Sequence, residues 1–209
     1  MHELTQELQR CSGTHALLIS AFADDQPPVL PMLGSWTRLQ VEKHGYAGAL
    51  KASTHEALPF MDEVFSLVLL RHALERTPVS AEALGDMVRT LAPGGLLVVA
   101  GIHPVSLWAP WVYWRTRHAR ALPRMPFAIG RLLHEAGLEI ESTRRLGPLW
   151  PRAGSARPAR HAWLGGGYVL TARKRKAGVM PLRVRQQAPR GVSAAAGALS
   201  PGTRRESGY

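Results

Sequence analysis

Two histidines follow directly on strongly apolar runs. His72 stands with Arg71 just beyond residues 65–70, FSLVLL, and His103 precedes Pro104 just beyond residues 96–101, LLVVAG. An imidazole has an ordinary pKa of about 6.5, so near neutral pH it can take a proton from a hydroxyl or ammonium group. If the two runs are strands of an open α/β sheet, both side chains come to its carboxyl edge, where such sheets bind ligands. His72 and His103 are therefore the candidate catalytic residues. Other chemistries lack their residues. The nine histidines include no HExxH pair, and there is no acidic loop of EF-hand spacing. Cys11 is the only cysteine, which excludes an intrachain disulfide and a cysteine-based zinc cage. A GxSxG elbow and a phosphate-binding P-loop are also missing.

A second group of residues suits binding rather than proton transfer. Residues 103–124 hold Trp108, Trp111, Tyr113 and Trp114, then Arg115, Arg117, Arg120 and Arg124. Wound as a helix, this segment sets Arg117, Arg120 and Arg124 on one face and Leu107, Trp111 and Trp114 on another. Aromatic rings beside arginines suit a membrane surface or a lid over a hydrophobic substrate. The competing reading has the tryptophans capping a sheet edge and the arginines merely solvated.

Hydrophobic periodicity supplies the elements that would carry these residues. Residues 2–10 form a short amphipathic helix around Leu4 and Leu8, and residues 15–21 are an apolar run of strand length. Residues 37–43 alternate as a half-buried strand, and residues 47–52 are a weaker strand candidate. Residues 65–71, nearly all apolar, read as a central strand buried on both faces. Ser80 is an N-cap for a helix with Leu84, Met87, Val88 and Leu91 on its inner face. Pro93-Gly94-Gly95 then stops that helix and returns the chain to a strand at 96–101. A helix at 127–136 ended by Gly137, a strand at 138–144 and a last strand at 167–173 complete the pattern. Strand, helix and strand from 65 to 101 make a βαβ crossover, so those two strands are expected to be adjacent and parallel in mid-sheet.

The run Leu58-Pro59-Phe60, then Val64-Phe65-Ser66-Leu67-Val68-Leu69-Leu70, then Leu91-Ala92-Pro93-Gly94-Gly95-Leu96-Leu97-Val98-Val99 resembles the second half of the class I S-adenosylmethionine (SAM)-dependent methyltransferase domain, of the type 11 kind. The likeness is good over residues 49–102 and loose over 127–173. It implies a Rossmann-like α/β fold, mostly parallel with a C-terminal antiparallel strand, SAM as cofactor, and a final hairpin formed by the last two strands. The first strand of that family ends in a glycine-rich loop. Here Ser20, Phe22 and Asp24 stand in the glycine slots, and the roughly fifteen proline-interrupted residues before the second strand leave the first crossover abbreviated. Carried over by position, Glu42 takes the place of the acidic residue that reads the ribose. Thr54 and His55 take the place of the adenine-reading pair, and Ser66 replaces the Asp of the FDLVL motif. The cofactor-binding candidates are Ser20, Phe22, Glu42, Thr54, His55, Leu58 and Arg71. With Phe22 in a glycine slot, the cofactor site is expected to be shallow.

Composition sets the outer limits. The chain has 209 residues, 45% of them hydrophobic, enough for one core with tails. The expected organisation is a leader at 1–14, a methyltransferase-like domain at 15–176 with the Trp/Arg-rich insertion at 103–125, and a tail at 177–209. The net charge of +11 is uneven: residues 1–110 carry 7 Lys and Arg against 11 Asp and Glu, and residues 111–209 carry 19 against 4. Residues 183–209 are rich in Ala, Gly, Ser, Pro and Arg and nearly lack large apolar groups, the composition of a disordered basic tail. Such tails bind polyanions weakly and without sequence preference. The start of the chain lacks a basic, apolar leader, and no apolar run reaches the ~18–20 residues of a membrane span. A cytoplasmic protein is expected. The reading is SAM-dependent methyl transfer to a small-molecule or lipid-like acceptor, with weak membrane-surface or polyanion contact through residues 108–124 and the tail. Its rivals are a catalytically silent binding or scaffolding relative and, from another class, a basic nucleic-acid-associated protein.

Overall fold

The computed structural model describes residues 8, 13–42, 45–53, 56–76, 81–106, 108–115, 123–146 and 166–175. The chain divides into two units, Met1–Ala177 and Gly178–Tyr209, and every described residue belongs to the first. The expected tail, most of the N-terminal helix and the Ser80 cap lie outside the described residues.

The described strands are β1 (Gly13–Ser20), β2 (Leu33–Val41), β3 (Gly45–Gly48), β4 (Ala52–Ser53), β5 (Phe65–Arg71), β6 (Leu91–Ile102), β7 (Leu138–Leu146) and β8 (Gly167–Lys174). They form one sheet in the order β4-β3-β2-β1-β5-β6-β8-β7. β2, β1, β5 and β6 run parallel, while β8 is antiparallel to both β6 and β7. This is the Rossmann-like methyltransferase arrangement. The helices are α1 (Ala73–Arg76), α2 (Ala81–Thr90), α3 (Trp108–Arg115) and α4 (Pro126–Glu135).

Side-chain alternation sorts the core into two faces, because successive strand residues point to opposite sides. Leu17, Ile19, Val68, Leu70, Leu97 and Val99 pack with Leu84, Met87 and Val88 of α2 and with Ile129 and Leu133 of α4. Their neighbours Ala16, Leu18, Leu67, Leu69, Leu96 and Val98 pack on the other face with Leu8, Leu30 and Val169. Each buried Leu, Ile or Val is worth about 1.5–3 kcal/mol against exposure. Burial on both faces explains why β5 is almost continuously apolar. The expected adjacency of β5 and β6 holds, with Leu67 opposite Leu96 and Leu69 opposite Val98.

Two details differ from expectation. Pro93-Gly94-Gly95 is not a turn ahead of the strand but a bulge within it: Phe65 already pairs with Leu91, and Leu67 pairs with Leu96. Gly94, at φ 76°, supplies the left-handed residue that the bulge needs. The single strand expected over 47–52 is instead an antiparallel hairpin, β3 and β4, whose β3 pairs antiparallel with β2 and whose β4 forms the edge of the sheet. The crossover between β1 and β2 is abbreviated as expected, and residues 21–32 run without helix from strand to parallel strand. Pro27, Pro28 and Pro31 account for that, since proline lacks the amide hydrogen a helix needs.

Candidate functional site

Where a crossover helix would begin, a cleft opens at the carboxyl ends of β1 and β2. Its volume is about 460 Å³ and its lining includes Leu18, Ser20, Phe22, Asp25, Trp36 and Gln40, with Ala47, Gly48 and Ala49 of the β3 hairpin along one side. That volume lies in the ~300–1,000 Å³ range of small-molecule sites. The connection after β1 is fixed by polar bonds rather than by glycines. Ser20 Oγ donates to Asp25 Oδ2 at 2.6 Å, and the Phe22 amide donates to Ser20 Oγ at 3.2 Å. Asp25 Oδ1 forms an ion pair at 2.7 Å with Arg71, whose guanidinium also donates to the Gln26 carbonyl. Arg76 donates to the Ala21 carbonyl and Arg38 to the Gln26 side chain. Three arginines from β2, β5 and α1 thus bind one short connection to the sheet.

Beyond β5 lies a second cluster. His72 adopts φ 54°, a left-handed backbone that is unusual for a side-chain-bearing residue, and its amide donates to the Ala100 carbonyl. Its Nδ1 lies 3.0 Å from Glu75 Oε2, and its ring meets the Phe22 ring edge-on at 6.1 Å. Phe22 lines the cleft, so His72 adjoins it. Glu75 is buried, and its other oxygen accepts the Ile102 amide. A β-carbon at Gly101 would stand 2.7 Å from the Tyr168 hydroxyl and 2.9 Å from Glu75 Oε1, so only glycine admits both groups beside β6. Burial, and then the Glu75 carboxylate, raise Tyr168 well above the usual phenol range, partly offset by Arg124. Tyr168 therefore stays a phenol.

His103 sits differently. It is buried, with its Nε2 3.0 Å from an Arg145 guanidinium nitrogen and its Nδ1 accepting the Val105 amide at 3.2 Å. Burial, followed by the Arg145 charge, lowers its pKa, and the Val105 hydrogen bond opposes them only in part. A neutral ring accepts at one nitrogen only, so with Nδ1 taking the Val105 amide the Nε2 hydrogen faces the Arg145 charge, and both sides of the ring are occupied by protein groups. Next in the chain comes α3. Trp108 packs on Gly166, where a β-carbon would fall 1.9 Å from its ring, and stacks edge-on against Trp111 at 5.9 Å. Trp111, Tyr113 and Trp114 are exposed by 40%, 65% and 65%, so two of the three indoles of this segment are open to solvent.

Of the other residues singled out from the sequence, Ser20 and Phe22 line the cleft and Arg71 closes its floor through Asp25. Leu58 is buried, with its amide bonded to Asp86 and its carbonyl to Arg89, and anchors the segment before β5 on α2 instead of lining the cleft. Glu42 is exposed beside the β3 hairpin, its amide bonded to the Gly45 carbonyl and its side chain outside the cleft lining. Thr54 and His55 lie outside the described residues. Sequence reasoning missed Asp25, Gln40, Glu75, Arg145 and Tyr168. For Glu75 a signal existed in its spacing of three from His72, which pairs side chains on any helical turn.

SAM carries an adenine, a ribose, a sulfonium and a zwitterionic amino acid, so its site needs volume, acceptors for amino and hydroxyl groups, and an aromatic or apolar wall. The cleft has the volume, the Gln40 amide and Asp25 carboxylate as acceptors, and Phe22 with Trp36 as walls. These residues fit the cofactor. Among the described residues no group of three or more His, Cys, Asp or Glu could hold a metal ion.

The profile of the methyltransferase domain family matches residues 2–143, well over half of the chain. The chain belongs to that family, the class I SAM-dependent methyltransferases. The demethylmenaquinone methyltransferase of Thermus thermophilus is 33% identical over 101 residues, which cover 48% of this chain and 44% of that enzyme. The match thus spans less than half of the relative's length. Among solved structures, an S-adenosylmethionine-dependent methyltransferase from Mesorhizobium loti superposes with a TM-score of 0.55 at 15% identity, covering 83% of this chain and 96% of that one. A SAM-dependent methyltransferase from Archaeoglobus fulgidus gives 0.52 at 10%, covering 83% and 92%. The [4+2]-cyclase SpnF gives 0.51 at 15%, covering 83% and 81%. At these identities the likeness concerns the fold, and the cyclase illustrates that one fold serves different reactions.

Proposed function

We propose that this methyltransferase uses SAM to methylate a small, lipid-like acceptor of quinone type, with His72 as the base that receives the acceptor's proton. The observation that carries the reading is the junction of the cleft, His72 and the exposed aromatic helix at one edge of the sheet. Ser20, Phe22, Asp25 and Gln40 would hold the cofactor, which supplies an electrophilic methyl group when bound. The protein's own work is then to orient the acceptor, exclude water and take a proton at His72 Nε2. Exposed Trp111, Tyr113 and Trp114, with Val105 and Phe127, offer the apolar area that a lipid-like acceptor or a membrane surface needs. The named activity of the Thermus thermophilus relative, on a menaquinone precursor, supports this acceptor class. Thr54 and His55 belong to the proposal as the adenine side of the site, Glu42 as the ribose side, and His103 as a second catalytic candidate. A cytoplasmic location, with weak membrane or polyanion contact through residues 108–124 and the basic tail, completes it.

Calorimetric titration with SAM and S-adenosylhomocysteine, followed by transfer of a labelled methyl group to demethylmenaquinone in vesicles, tests the reading. Cofactor binding with labelled quinone supports it. Binding without transfer to the quinone shifts the acceptor. A second reading, a silent relative that uses the sheet for binding, is favoured by one observation: Asp25 and Ser20 of the chain itself fill the loop where glycines would admit a cofactor. Failure of both nucleosides to bind would decide for it.

A further inference from the structure

His72 and Glu75 form a dyad that the sequence comparison does not assign. We infer that Glu75 is a positioning residue that fixes His72 with its proton on Nδ1, so that Nε2 is left as the proton acceptor beside the cleft. This rests on the proposed role of His72 and extends it to a residue outside the cleft. The argument is one of bonding capacity. An ionised carboxylate only accepts hydrogen bonds, so the 3.0 Å contact from His72 Nδ1 to Glu75 Oε2 requires the Nδ1–H form of the ring. Glu75 cannot turn away, because its second oxygen is bonded to the Ile102 amide and its side chain is only 7% exposed. That oxygen and the Tyr168 hydroxyl both occupy the space that a side chain at Gly101 would take. The ring is placed as well as protonated: its edge contact with Phe22, a lining residue, sets it beside the cleft, on a left-handed backbone at φ 54°. A side-chain-bearing residue held in that backbone region marks a place where the surrounding structure imposes a geometry. His72 is 35% exposed in its side chain, so Nε2 can be reached from solvent, and no described residue bonds it. His103 offers the contrast, with a protein group at each nitrogen.

The consequence is a restriction on chemistry. Nε2 takes a proton only from an acceptor that loses one on methylation, while the Glu75 carboxylate steadies the resulting imidazolium through the Nδ1 hydrogen. The test reads the ring directly and needs no substrate. Long-range proton–nitrogen NMR of the 15N-histidine-labelled full chain at neutral pH separates the two neutral tautomers by their nitrogen shifts. The wild type is expected to show His72 as the Nδ1–H form. Glu75→Ala should convert most of the population to the Nε2–H form that an unconstrained histidine side chain prefers, and Glu75→Gln, whose amide oxygen still accepts, should retain much of the Nδ1–H form. A wild-type ring found as Nε2–H overturns the inference without recourse to any variant. So does a folded Glu75→Ala protein whose His72 signals are unchanged. Cofactor titration is read separately: loss of SAM binding in the wild type would refute the proposed function while leaving the dyad's tautomer intact.

Discussion

At the scale of single residues, the molecule shows two histidines at the same sheet edge with opposite surroundings. His72 faces a carboxylate on one nitrogen and solvent on the other, while His103 is buried between an amide and a guanidinium. Burial and Arg145 hold His103 below the ordinary histidine value of 6.5. The unfolded chain therefore takes up this proton at higher pH than the folded one. The contribution of His103 to stability is complete above about pH 6.5 and is lost as the pH falls from there toward the folded value. Urea unfolding followed between pH 7.5 and 5 should lose stability on the acid side, and His103→Gln should flatten that dependence. Arg145→Ala should move the His103 NMR titration upward, toward the ordinary value. A titration midpoint unmoved by that change would mean that the guanidinium does not act on the ring. The pairings themselves were not legible in the sequence: Arg145 meets His103 only because β8 pairs with both β6 and β7 and sets β7 one strand away from β6, and Glu75 was visible only as a spacing. His72 and His103 could be found because each ends a run whose apolarity already marked a strand.

At the scale of elements, the first crossover is the connection that carries no helix between two parallel strands. With no helix over 21–32, the polar bonds of Ser20, Asp25 and Arg71 hold the connection in place. The Arg71 and Asp25 side chains are only 10% and 16% exposed, so removing one partner leaves a largely buried charge. Arg71→Met should cost about 3 kcal/mol of unfolding free energy, the lower end for breaking a buried pair. A loss within the ~0–1 kcal/mol of a surface ion pair would mean that the connection does not depend on it. The sequence disclosed the shortening through its prolines but not the clamp, which joins residues far apart in the chain. It likewise disclosed β5 and β6 but misread Pro93-Gly94-Gly95, since glycine marks turns and bulges alike and only the pairing partner decides between them. At α3 the exposed indoles make a second forecast. The double change Trp111→Ala and Trp114→Ala should abolish binding to anionic vesicles, read by sedimentation, at little cost in melting temperature. A loss of the ~3–5 kcal/mol typical of a buried aromatic would make the helix part of the core instead.

At the scale of the whole molecule, the charge is divided along the chain. The first half, which supplies β1 to β6, carries 7 basic residues against 11 acidic, and the basic excess lies beyond it. Positive potential is therefore separable from the cleft, whose charged lining, Asp25 and Arg38, is balanced. Residues 183–209 bring almost no large apolar side chains, and hydrophobic burial is the main favourable term of folding. Deleting them should leave the melting temperature of the sheet domain and its calorimetric response to SAM essentially unchanged, because their composition offers little apolar surface to bury. Heparin affinity should fall on the same deletion. In the full chain it should weaken steeply as salt is raised, since exposed charges are screened beyond a Debye length of ~8 Å at 0.15 M. If the shortened protein melts several degrees lower, the tail contributes to the fold. If heparin binding survives the deletion undiminished, the polyanion contact belongs to the arginines of residues 115–145.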